Sequence, residues 1–156
     1  MTSEGQGQQA AQTDAGKVVA VAGALLLALD LALTSLLYER LPQTIAIHWS
    51  ASGTADNQGD RSLAWFMPMC LGFVVALGLV ARRRTKPSEA PLVAAAVALG
   101  ILYLFSGSLL LLLANLDNQG WQQGSVAGRS MLLTLTLPAL VFAAALSVYR
   151  ARSEAR

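Results

Sequence analysis

Residues 92–114 read LVAAAVALGILYLFSGSLLLLLA, an apolar run without a single charge. At 1.5 Å rise per residue, a helix of that length spans roughly 34 Å, enough to cross a hydrocarbon core of about 30 Å. Three further stretches share this character: Val18 to Tyr38, Leu63 to Ala81 and Met131 to Tyr149. Inside a bilayer the backbone has no water to bond, so each run must satisfy its amides internally as a helix. The sequence therefore predicts an all-α integral membrane protein, a four-transmembrane-helix bundle with an ordered outer loop between helices 1 and 2.

Composition agrees. Hydrophobic residues make up 54% of the 156 residues and charged ones only 13%, about half the share usual in soluble domains. The spans leave no room for a separate soluble domain. We divide the chain into a polar tail at 1–16, a membrane domain at 17–150 with its informative loop at 39–62, and a short tail at 151–156. Residues 1–16, rich in Gln and Gly and lacking a basic residue, are expected to be a disordered cytoplasmic tail. The first span is too long for a signal peptide and ends without a cleavage site, so it reads as a retained anchor. Cys70, the single cysteine, falls inside the second span and reads as a small packing residue.

The basic residues predict the orientation. Lys17, Arg82, Arg83, Arg84, Lys86, Arg150, Arg152 and Arg156 group on one side of the spans, against Arg40, Arg61 and Arg129 on the other. Positive flanks stay in the cytoplasm, so both termini are expected inside a cell membrane and the first and third loops outside. Trp49, Trp65, Trp121 and Tyr38 gather at the outer side, as interfacial aromatics should. The run Arg82-Arg83-Arg84-Thr85-Lys86 has two readings: a topology signal alone, or a dock for anionic lipid or a cytoplasmic partner.

Small residues four apart prepare helices for close packing: Gly72 and Ala76, Ala96 and Gly100, Ala139 and Ala143. Pro68 falls harmlessly early in the second span, whereas Pro138 should kink the fourth. Asp30 is the one ionisable residue deep in a span. A carboxyl there costs at least ~2.5–3.5 kcal/mol, so it must face the bundle and be hydrogen-bonded or protonated. Ser106, Ser108, Thr134 and Thr136 are its candidate partners, with Thr34 one turn along its own helix. It reads either as a structural polar clamp or as a proton or ligand site.

The first outer loop holds the strongest motif. Ile45, Ile47 and Trp49 alternate with Ala46, His48 and Ser50, a period of two that suits an extended segment with one face on the helix ends and His48 on the other. Ser52-Gly53 and Asp56-Asn57-Gln58-Gly59 are turn-forming. A lone histidine builds no multi-His metal centre. His48 therefore pairs with Asp56 to fix the loop, contacts a ligand outside the cell, or joins Asp56, Asp60 or Glu39 in a mixed site.

Leu41, Pro42, Ile45, His48, Trp49, Gly53, Asp56 and Arg61 reproduce the pattern L-P-x-x-I-x-x-H-[WF]-x-x-x-G-x-x-D followed by a basic residue. The segment around residues 20–80 thereby resembles the N-terminal domain of SdpI-type bacteriocin immunity proteins, a small bacterial membrane domain of unknown function. Two positions depart from it: Ala46 and Ala55 stand where members often have proline, and four spans stand where the immunity proteins have about six. The resemblance implies a non-enzymatic, immunity-like or accessory role, in which the outer loop meets a secreted peptide, a toxin or a partner protein. The alternative is a small transport or sensor subunit that uses Asp30 and the basic inner loop. No nucleophile–base pair, metal cluster or paired carboxylates suggests an enzyme, and no cofactor, metal or nucleic acid is implied.

Overall fold

The computed structural model describes residues 3–86 and 89–125, with side chains from Lys17 onward. The expected fourth span, with Thr134, Thr136, Pro138, Ala139 and Ala143, lies outside the described residues, as do Arg129, Arg150, Arg152, Arg156 and the tail at 151–156.

Three helices form the described body: α1 (Ser3–Leu37), α2 (Phe66–Arg84) and α3 (Ala90–Asn115). Each provides a segment long and apolar enough to cross a membrane: Lys17–Arg40, Arg61–Arg84 and Ala90–Asn115. Their exteriors are apolar. Phe66, Met69, Phe73, Leu77 and Val80 form an exposed stripe along α2, and Val18, Val21, Leu25 and Leu29 do so along α1. In lipid such side chains are already solvated, so burial is reserved for close packing and for polar groups. Asp30, Thr34, Ser108 and Asn115 are accordingly among the most buried side chains.

The helical backbone of α1 starts at Ser3. A helix already nucleated in the span grows at low cost, and the Gln and Ala residues of 3–16 are good helix formers.

Mid-bundle packing centres on Leu71, Val75 and Ile101, with Leu26, Leu27 and Val97 around them. Between the helices, close approaches fall at Gly23, where an added Cβ would lie 2.7 Å from Ile101 Cδ1, and Gly78, where it would lie 2.7 Å from Val97 Cγ1. Gly72 makes only ordinary contact with Leu27. The helix ends are orderly. Pro91 sits in the first turn of α3, and Arg82, Arg83 and Arg84 complement the carbonyl end of α2.

The loop between α1 and α2 is ordered and extended, as its period of two leads one to expect, and it pairs with itself. Strands β1 (Thr44–Trp49) and β2 (Ala55–Asp60) pair antiparallel in a two-stranded hairpin, flanked by the 3-10 turns Tyr38–Arg40 and Arg61–Trp65. The period-two pattern of β1 prescribes the strand. Gly53, at φ 82°, takes the left-handed backbone that lets the chain reverse between Ser50 and Thr54. An isolated two-stranded hairpin is marginal in water, so its order comes from what it packs against.

Candidate functional site

Leu41, Ile45, Ala64, Leu111 and Leu112 form one buried cluster, which roots β1 on the ends of α1 and α3. Trp49 and Ala46 form a second, backed by Leu110, Ala114 and Trp121. Ala46 was expected on the open face beside His48, yet it is fully buried. The register shifts between Ala46 and His48 and again between His48 and Trp49. These irregularities break strict alternation and let two neighbouring residues face inward.

What meets Ala46 is Asn115, the last residue of α3. Its Oδ1 accepts from the Ala46 N–H at 2.7 Å, and its Nδ2 donates to the Ala46 carbonyl at 2.9 Å. One primary amide thus gives the free edge of β1 the paired bonds that a third antiparallel strand would give. Gly124 closes against the same spot: a Cβ there would lie 2.8 Å from Ala46 Cβ. Its carbonyl accepts from Trp49 Nε1 at 3.2 Å, and Thr54 and Ser125 form an isolated antiparallel bridge beside it. The sequence pattern pointed to neither Asn115 nor Gly124. The one available signal was a polar residue directly after an apolar run, which marks most span ends.

Arg61 lies over the Tyr38 ring, 4.6 Å from its centroid, and its Nη1 donates to Glu39 at 3.3 Å. Tyr38 in turn meets Trp65, so the two chain entries into the hairpin are tied together. Arg40 pairs with Asp117, whose own N–H donates to the Arg40 carbonyl at 3.1 Å. The hydrogen bond from Arg40 holds the Asp117 carboxyl below its ordinary 3.8. A carboxyl lowered by folding contributes stability above its ordinary value and loses it as pH falls through the lowered one. Carbon NMR should show Asp117 titrating below 3.8, and Arg40→Gln should return it toward that value.

Against this anchored base one polar pair stands outward. His48 Nδ1 lies 2.5 Å from Asp56 Oδ1, with the two side chains 65% and 45% exposed. Asp56 thereby fixes the imidazole and leaves its Nε2 toward solvent. Among the described residues, no third His, Cys, Asp or Glu gathers with them. Pro42 is half-buried and Gly53 buried, so of the eight motif residues only His48 and Asp56 stand fully open.

The remaining candidates lie elsewhere. Arg82, Arg83, Arg84 and Lys86 are exposed at the far end of α2, the end opposite the hairpin. Asp30 lies within the bundle, where Ser108 Oγ donates to its Oδ1 at 2.6 Å. That α3 hydroxyl is one of the partners anticipated for it.

No curated protein and no solved structure matches the chain. Residues 25–72, which include Asp30, Thr34 and the whole hairpin, match the family model of a domain of unknown function, DUF1648.

Proposed function

We propose that this chain is a small non-enzymatic multi-pass protein of the cell membrane. Its hairpin docks a secreted peptide, toxin or partner protein on the outer face, in an immunity-like or accessory role. The observation that carries this reading is the contrast within the hairpin. Six of the eight motif residues are wholly or partly buried, while His48 and Asp56 form an exposed pair. Groups that hold a scaffold together are usually inside it, and exposed polar groups on a fixed scaffold are suited to recognition. The resemblance of the motif to SdpI-type immunity proteins supports the same role. The basic cluster Arg82, Arg83, Arg84 and Lys86 at the opposite end supports an outward hairpin and cytoplasmic termini.

Two measurements test it. In a Cys70→Ala background, a cysteine replacing Ser52 should react with a membrane-impermeant thiol reagent in whole cells, while one replacing Thr85 should not. The reverse pattern ends the topological part. For docking, cells producing the chain should survive a panel of secreted antibacterial peptides better than cells without it. His48→Ala with Asp56→Ala should abolish that protection at unchanged membrane levels. Full protection by the double variant would dismiss the hairpin as the docking element.

A further inference from the structure

Asp30 Oδ2 and Thr34 Oγ1 are buried and have no hydrogen-bond partner among the described residues. Both side chains are essentially inaccessible, at 1% and 0% exposure. They sit four residues apart on α1, so they are neighbours on one helix face. Ser108 of α3 faces them, bound to the other carboxyl oxygen.

The idle Thr34 hydroxyl is the unusual feature. A serine or threonine within a helix ordinarily donates to the carbonyl four residues back. This chain does so elsewhere: Ser35 Oγ donates to Leu31 O and Thr85 Oγ1 to Ala81 O, each at 2.7 Å. Thr34, fully buried and in greater need of a partner, does not. A buried hydroxyl left unpaired carries its full desolvation cost with no bond to offset it, and an orphan carboxyl oxygen beside it adds to that cost.

We propose that Asp30, Thr34 and Ser108 form an intramembrane site for one small monovalent cation of the sodium class. The donor set is all oxygen, which suits a hard cation. It offers a single negative charge, which one positive charge neutralises and a divalent ion would overshoot in hydrocarbon. Along its own helix and the turn that follows, the basic residues nearest Asp30 are Arg40 and Lys17, about 15 and 20 Å distant by helical rise. A proton on Oδ2 would supply a donor that Thr34 Oγ1, one turn on, could accept, so proton and cation are told apart by the pH arm of the test below. A cation takes lone pairs from both orphan oxygens at once.

The test uses the full chain in lipid nanodiscs, with NaCl against choline chloride at constant ionic strength and fixed pH. A ligand that binds only the folded state raises Tm, by roughly 5–10 °C at a hundredfold excess over its dissociation constant. Sodium should give such a shift in the parent, and radioactive sodium should bind once per chain. Asp30→Asn keeps an oxygen for Ser108 and should lose the shift and the binding. Thr34→Val should be at least as stable as the parent in choline, because it removes an unpaired hydroxyl, and yet bind sodium at least tenfold more weakly. Ser35→Ala should respond like the parent. A parent Tm indifferent to sodium, one that rises only as pH falls, or a Thr34→Val variant with full sodium affinity would each overturn the proposal.

Discussion

Replacing Asn115 with leucine should release the hairpin while leaving the helices in place. The leucine side chain is close in size, so the change removes hydrogen bonds with little loss of volume. It strips the Ala46 N–H and carbonyl of their partners at 2.7 and 2.9 Å in a fully buried position. Each orphaned backbone group costs about 1–3 kcal/mol. The bond from Nδ2 to the Leu111 carbonyl is lost as well, although that group also belongs to the helix. Opening the hairpin lets water reach Ala46, so the cost falls on local order. Hydrogen exchange at the amides of 44–60 should speed up at least about thirtyfold, the equivalent of ~2 kcal/mol. Amides in the middle of α2 and α3 should keep their protection. Asn115→Asp is the informative companion: it retains an acceptor for the Ala46 N–H, loses the donor for the carbonyl, and buries a charge. Unchanged exchange in the leucine variant would mean that the hairpin stands without this anchor.

That dependence also explains which parts of the molecule could be read from sequence. Helices long and apolar enough to cross a membrane were legible because lipid imposes length and composition on every residue of a span, and 92–114 needs no partner to be recognised. The strand of Ile45, Ile47 and Trp49 was legible from its own period, and the turn from Gly53. The pairing of His48 with Asp56 spans only eight residues. Ala46 and Asn115 are separated by 69. Nothing local distinguishes an asparagine that closes a strand edge from one that merely ends a span. The same holds for Gly23 and Gly78, whose close approaches depend on which residue the opposite helix presents. Small-residue spacing directed attention to Gly72 and Ala76 instead.

Trp49→Ala should be the most destabilising single change in the hairpin. The ring is 8% exposed and packs with Ala46, Ala55, Leu110, Ala114 and Trp121, so truncation opens a large cavity between hairpin and helix ends. Core truncations of this kind cost about 3–5 kcal/mol. Its Nε1–H also holds the Gly124 carbonyl at 3.2 Å, which fixes the segment that closes over Ala46. The two contributions separate by substitution. Trp49→Phe keeps most of the apolar contact and loses the hydrogen bond, so it should cost only about 1–2 kcal/mol. Neither neighbour can collapse to fill the alanine cavity: Ala46 is already held by Asn115, and Gly124 has no side chain. Limited proteolysis in nanodiscs should therefore cut the alanine variant within 41–61 at rates that leave the phenylalanine variant largely intact. Exposure of His48 and Asp56 does not depend on the ring, but their fixed position does, since β1 places His48 directly beside Trp49. If the hairpin is a docking platform, Trp49→Ala should abolish protection in the survival assay with both recognition residues still present. An alanine variant that resists protease like the parent would show that the aromatic ring is not what holds this platform to the membrane bundle.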